Sequence, residues 1–458
     1  MRRATAVFSF TLLAALAQAQ AQTGDFRLVL AGDTNLHQRI SIYDDAAYLK
    51  FYQRIRTADA SFLNLESQIQ PDPYPGPGAA WSGGIYLYSS EWLLDEFKWA
   101  GFNLIAVANN HAFDYGADGL RASLGALHKA GLVYAGAGDN LALARAPGYL
   151  DTKHGRVALL SICSTLLPGS QASEQRPDLR GRFGLNPLRF TTTYTVEPET
   201  LEVLRKVAAI GRPRAAANDS GTLTFASAQY KAGDKPAVHT EADPADLAGL
   251  LASVRDARKQ ADWVLVTIHG HEGSGATASG SADFLVDFAH AAIDAGADVV
   301  ANHAPHDIRG IEIYKGKAIF HGLGNFAFDG HVTPLQPSEL YNQRGLPPTS
   351  TVSDLWKTST STPANSNSLW TEKTREGAVF ELIFGADGKL KQIAVDPISL
   401  LWAKGPNAKT DLTTRAGVPG PASPEAAARV IERITKLSAP LGVTVKSVDG
   451  RGVIALDQ

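Results

Sequence analysis

"GADVVANHAPHDIRGIEIYKGKAIFHGLGNFAFD", residues 296–329, decides how the rest of the chain is read. The apolar run that ends at Val300 predicts a buried strand. It gives out at Asn302 and His303, and Pro305 then fixes the backbone so that His306 is held rather than free. A second apolar run follows, and a glycine-rich return supplies Asn325. A buried imidazole left without a partner costs stability. Two of them at the end of one buried strand therefore point to a shared polar cleft.

Working outward, the same texture recurs. "FRLVLAGD" ends in Asp33, followed by Asn35 and His37; "SFLNLES" ends in Asn64 and Glu66. "FNLIAVANNHAFDYG" reads as a third strand and supplies Asn109, Asn110, His111 and Asp114. "ADWVLVTIHGHEG" supplies His269, His271 and Glu272. Helical periodicity lies between these strands, in "DDAAYLKFYQRIRTA", "SEWLLDEFKWAG" with a serine cap, "GADGLRASLGALHKAG" and "SADFLVDFAHAAIDAG". Alternating β and α units with doubly buried strands predict an α/β layered core around a largely parallel sheet, with the loops at the strand carboxyl ends on one edge. From Pro168 to about residue 240 polar, Arg- and Pro-containing sequence interrupts the pattern, which predicts an insertion carrying some helix. Past Asp329 the apolar content falls, then "EGAVFELIFGADGKLKQIAVDPISL" predicts a hairpin turning at Gly-Ala-Asp-Gly, and "SPEAAARVIERITKLSAPLG" a capped helix.

Composition narrows the function classes. The chain has 458 residues, 44% hydrophobic and 19% charged, with a formal net charge of −3, so no broad basic face for nucleic acid is implied. "MRR", the apolar "AVFSFTLLAALA" and the small-residue "AQAQAQ" predict a signal peptide over residues 1–21, hence secretion into a periplasmic or other extracytoplasmic space. Nothing after it has the length and apolarity of a membrane span. Cys163, the only cysteine, sits in an apolar run and reads as a small core hydrophobe.

Seven of the twelve histidines lie near strand ends: His37, His111, His269, His271, His303, His306 and His321. Gathering imidazoles with carboxylates on one edge serves either a divalent metal pair or acid/base pairs without metal. Asp, Glu, Asn and His ligands without cysteine suit zinc, manganese or iron rather than calcium. Tyr86, Tyr88 and Trp81 flank a Pro/Gly-rich loop and pack on the core or wall the cleft; Trp92 and Trp99 fall on the core side of a helix.

The motifs "LVLAGD", "NLES", "ANNHAFDYG", "IHGHE" and the opening stretch resemble the CapA family of capsule and poly-γ-glutamate synthesis proteins over residues 26 to 330. The resemblance implies an α/β fold akin to the calcineurin-like metallophosphoesterases: a four-layer α/β/β/α sandwich over residues 25–330, with residues 331–458 a C-terminal α+β extension packed on the core. It implies one or two divalent ions (Mn, Zn or Fe) held by Asp33, Glu66, Asn110, His271, His303 and His306. His111 would be the proton donor, with His306 a further catalytic group; by its own position Asp114 either orients His111 or caps the helix that follows. The residues themselves add Asn35, Asn64, His269, Glu272 and Asn325 as groups that line the substrate, and Arg309 as either a partner of a substrate carboxylate or phosphate or a surface salt bridge. Asn35 stands where that superfamily has histidine, His303 and His306 are three apart instead of two, and either His269 or His271 matches its lone histidine. The activity implied is a metal-dependent hydrolase or transferase acting on an anionic envelope polymer, a peptide or a phosphoester, in a capsule synthesis complex. The departures leave the same residues two other uses: a metal-free peptide epimerase with Asp33 facing His303 or His306, or a polymer-binding assembly factor without catalysis.

Overall fold

The computed structural model describes residues 24–71, 76–80, 84–211, 221–274, 277–329, 333–360, 372–400 and 417–456. The signal-peptide reading of residues 1–21 and Trp81 lie outside the described residues. What is described is a mixed α/β protein built on two large sheets. In the larger, the strand Phe26–Asn35 is central; Ala60–Leu65, Leu104–Ala106 and Val133–Ala135 continue from it in parallel. On its other side Glu376–Phe384, Leu390–Ser399 and Arg451–Ala455 follow, all antiparallel. The smaller sheet has Trp263–His269 and Val299–His303 parallel at its centre, flanked by Gly155–Cys163 and Lys317–Phe320.

Each central strand is apolar throughout because both its faces are covered. From the strand Phe26–Asn35, Phe26, Leu28 and Leu30 join one core with Leu159, Trp263, Leu265 and Val299 of the smaller sheet. Val29 and Ala31 point the other way, onto Tyr52, Ile55 and Phe97 of the helices Ala46–Arg56 and Leu93–Ala100. In the smaller sheet Val264, Val266 and Ile268 face Val254, Phe288 and Ala292 of the helices Pro244–Arg258 and Asp283–Ala295. Full burial of each such large side chain contributes about 1.5–3 kcal/mol, so these cores need no disulfide.

Gly296 ends the helix Asp283–Ala295 at φ 119° and turns the chain into the strand Val299–His303. Gly32 serves a different need. A Cβ there would lie 1.8 Å from the Gly324 carbonyl oxygen, because the strand Phe26–Asn35 and the strand Asn325–Phe328 close together at that point. Gly32→Ala is therefore expected to lower the urea midpoint by the equivalent of about 1–3 kcal/mol, as overpacking does; an unchanged midpoint would mean the strands part freely.

Several local expectations are revised. The third strand stops at Ala106, so Asn109 and Asn110 stand in a turn. The helix Leu93–Ala100 begins behind Trp92 with no side-chain cap, so the predicted serine cap is absent. The parallel strands are one half of the larger sheet only. The segment 168–240 holds the helix Pro198–Gly211 and also most of a four-stranded sheet, Phe190–Val196, Thr222–Phe225, Ala228–Ala232 and Ala237–Ala242. Its Thr-rich "FTTTYTV" is β-branched, and that local preference decided the conformation despite the polarity. The hairpin at Gly385–Gly388 and the Ser423-capped helix Pro424–Ser438 form as the sequence predicts.

Candidate metal centre

The register of the two sheets brings their carboxyl ends together. Asp33 pairs across the ladder with Asn64 on one side and Asn325 on the other, and His269 pairs with His303. Asp33 meets His303 at 3.5 Å and His306 at 3.4 Å across the gap between the sheets. Sequence positions 33, 64, 66, 269, 303 and 306 therefore share one buried pocket.

Two groups have the spacing to hold an ion. Asp33, His269 and His303 form one; Glu66, His271 and His306 form the other; within each, the donor atoms lie within 4.8 Å of one another. The groups adjoin, since His306 Nε2 is 3.5 Å and His269 Nε2 3.7 Å from Glu66 Oε1. Asn110 Oδ1 lies 2.8 Å from His269 Nε2, at the seam between them.

Hydrogen bonding separates the scaffold from the free donors. Asp33 is fixed: its Oδ1 accepts from Asn64 Nδ2 (2.8 Å) and its Oδ2 from the Ala304 amide (2.8 Å). Ala304 and His306 both hold positive φ, 94° and 53°, on either side of Pro305. Such backbone costs an L-residue of order 1–3 kcal/mol, and the bond to Asp33 is one of the contacts that hold it. His306 Nδ1 is 2.8 Å from Asn325 Oδ1. By contrast both carboxylate oxygens of Glu66, His271 Nε2, His303 Nε2 and both amide atoms of Asn35 are buried with no hydrogen-bond partner among the described residues. Buried polar atoms are nearly always satisfied, so orphaned ligand-type atoms on Glu66, His271 and His303, which belong to the metal-spaced groups, fit a cation.

The electrostatics divide the donors: Asp33, His269 and His271 are ready to bind a cation, whereas Glu66 and His306 would each give up a proton to do so. Burial alone would raise Asp33, but hydrogen bonds to His303 and His306 and the field of His269 hold its carboxyl well below the usual range. Burial pushes Glu66 up to about 8 against the pull of His306. Burial lowers His269 well below the imidazole range and His271 to about 4, which leaves both rings neutral and able to donate a lone pair. His306 is raised to about 10; burial opposes this, and Glu66 and Asp33 outweigh it.

His111 stands at the rim with Nδ1 2.8 Å from Asp114 Oδ2, which also accepts from the Leu87 amide (2.7 Å). Asp114 thus orients the imidazole and does not cap the helix Gly116–Ala130, whose cap is Tyr115. Against the cost of burial, Asp114 raises the His111 pKa. Glu272 accepts from the Ser164 and Thr165 hydroxyls at 2.7 and 3.0 Å.

Other singled-out residues go elsewhere. His37 pairs with Asp329, and His321 with Glu312. Tyr86 and Tyr88 pack on Tyr115, and Arg39 and Arg56 lie over Trp92 and Trp99. Cys163 is buried, and burial pushes its thiol up. Four residues carried more than their sequence context suggested. Asn302 ties the Gly270 backbone to the strand Val299–His303, and Asn109 bonds Asn64 and the Leu65 carbonyl. Ser164 and Thr165 directly follow the strand Gly155–Cys163, and that position was the signal available for them.

A mixed α/β fold with carboxylates, amides and imidazoles pooled at its strand ends is the class defined here. The chain belongs to the bacterial capsule synthesis protein family PGA_cap, whose model matches residues 27–330. Protein y4sH of Sinorhizobium fredii is 32% identical over 438 residues, 94% of this chain and 93% of that one. The capsule biosynthesis protein CapA of Bacillus anthracis is 28% identical over 56% of this chain and 47% of its own length. A probable polyglutamine synthesis accessory protein of Mycobacterium tuberculosis is 30% identical over 50% of this chain and 45% of its own. The membership is thus one of capsule and poly-glutamate synthesis proteins of the CapA type, and among the described residues no helix is long and apolar enough to cross a membrane.

Proposed function

We propose that this chain is a metal-dependent hydrolase or transferase of capsule or poly-γ-glutamate synthesis, acting outside the cytoplasm on an anionic polymer or phosphoester. The observation that carries the reading is Glu66: a fully buried carboxylate with neither oxygen hydrogen-bonded, facing His271 and His306. Asp33, His269 and His303 would hold one ion, and Glu66, His271 and His306 a second, with the Asn110 amide oxygen between them. Zinc, manganese or iron suits these donors. Divalent ions bound there would draw charge from a phosphoryl or carbonyl oxygen and make water a better nucleophile. Asp114 holds His111 by Nδ1, so Nε2 is the atom that hands a proton to the leaving group. Asn64 and Asn325 hold Asp33 and His306 in place; Asn35 and Glu272 are assigned to the substrate's approach as part of this reading.

The two sheets and their outer helices support the four-layer α/β/β/α order of the metallophosphoesterase-like folds. We assign residues 1–21 to a signal peptide, 25–330 to the catalytic domain with an insertion at about 168–240, and 331–458 to an extension that adds strands to the larger sheet. A metal-free proton relay is the weaker reading, because an Asp33 carboxyl held well below its usual range is a poor base at neutral pH.

The test is turnover of p-nitrophenyl phosphate and of poly-γ-glutamate before and after chelation. Activity should vanish with chelator and return with manganese, zinc or iron. Full activity in metal-free protein would refute the metal role. Metal-loaded protein that binds the polymer and turns over neither substrate would leave an assembly factor in its place.

A further inference from the structure

We propose that Arg309 anchors a second negative group of the substrate, a carboxylate or phosphate other than the one that reacts, and so selects polyanionic substrates. This rests on the imidazole–carboxylate centre being the reacting site.

Arg309 is half-buried, and its one side-chain hydrogen bond among the described residues is to Ser281 Oγ, at 3.2 Å. The acids around it are turned to other partners. Asp307 faces Lys373 and Arg433 at 3.9 and 3.8 Å. Glu272 is taken by the Ser164 and Thr165 hydroxyls. An arginine stays charged, and among the described residues no carboxylate comes within ion-pair distance of this one, so only the longer-range pull of Asp307 and Glu272 offsets the cost of its burial. Burial accordingly pulls its pKa down.

Its position is built. A Cβ on Gly322 would come within 3.1 Å of the Arg309 Cβ and 3.0 Å of Cγ, so glycine there makes room for the stem. The Arg309 amide donates to the Gly322 carbonyl at 3.0 Å, which sets where the stem starts. At the other end, Nη2 is 3.5 Å from where a Cβ on Gly273 would sit. Gly273 is two residues beyond His271, on the loop that brings His271 to the centre. The fork therefore stands against the loop that carries His271, near enough for its charge to act on that imidazole, and is not itself one of the metal-spaced donors. A planar guanidinium with free N–H groups recognises carboxylates and phosphates in two-point fashion.

The experiment is calorimetric titration of the full chain with inorganic phosphate and with glutarate, at low salt, in manganese-loaded and in chelated protein. Elemental analysis is run on the same samples. Arg309→Gln should weaken at least one probe tenfold or more, in chelated protein as well, without changing metal content. Arg309→Lys should recover part of the loss. Selective loss of phosphate points to a phosphoryl substrate, and selective loss of glutarate to a carboxylated polymer. Unchanged affinity for both probes, or a wild type that binds neither, would overturn the proposal. Should Arg309→Gln not fold, Arg309→Lys decides, and wild-type affinity there would also overturn it. Protein without metal but with Arg309-dependent anion binding would instead remove the metal reading and leave Arg309 standing.

Discussion

Glu66→Gln is expected to cut bound divalent metal from two ions per chain to one and to slow turnover roughly a hundredfold or more, since even partners that only orient a ligand cost 10–100-fold when lost. The amide keeps the volume of the carboxyl group and cannot take up the charge that a bound cation would draw out of it. Neither Glu66 oxygen makes a hydrogen bond among the described residues, so the substitution leaves no donor unmet. His306, of the same group, and His269, of the adjoining one, approach one of them at 3.5 and 3.7 Å. The substitution should therefore leave secondary structure and the apo unfolding transition close to wild type while removing the response to metal. At a hundredfold excess over Kd each occupied site adds about 2.7 kcal/mol of stability, so the manganese-induced rise in Tm should be about halved. Two full equivalents of metal retained by Glu66→Gln would show that the orphaned carboxylate has another use.

The contrast between Glu66 and its surroundings also shows what the sequence could convey. The sites at which apolar strands run out were readable, because a doubly buried strand is a continuous hydrophobic run and a polar residue at its end is conspicuous. Asp33, Glu66, His269 and His303 were visible in that way. Their grouping was not, because it depends on the packing of two sheets whose members lie more than 200 residues apart. The partition into Asp33–His269–His303 and Glu66–His271–His306 follows from ladder register, His269 opposite His303, and from the positive φ at Ala304 and His306, none of which has a local signature. His269, read as a substrate contact, stands with the metal-spaced donors; Asn110 touches its ring and joins the centre through it. The strands of residues 190–242 were missed for another reason. Their outer positions are Thr, Glu and Lys, so the hydrophobic alternation that marks a half-buried strand is faint, and β-branching alone carried the signal.

Asp33→Ala should behave quite unlike Glu66→Gln: a loss of about 3–5 kcal/mol of unfolding free energy even in chelator, the range for breaking a buried charge network from one side. Asp33 is fully buried and is held by the Asn64 amide and the Ala304 backbone N–H, both at 2.8 Å. Its removal leaves those donors unmet, and each unmet buried donor costs about 1–3 kcal/mol. It also releases Ala304 from one contact that keeps its backbone at φ 94°, so the turn carrying His306 is free to relax. Asp33→Asn, which can still accept through one oxygen, should fall between the two. The measurement is the urea midpoint of each variant in chelator, where no ion contributes. A midpoint for Asp33→Ala equal to wild type would mean that the Asn64 and Ala304 bonds hold nothing. The consequence reaches the interpretation of activity. A dead Asp33 variant combines a lost ligand with a collapsed turn, whereas a dead Glu66 variant with an intact apo transition isolates the ligand, so the chemistry of this centre is best interrogated from Glu66.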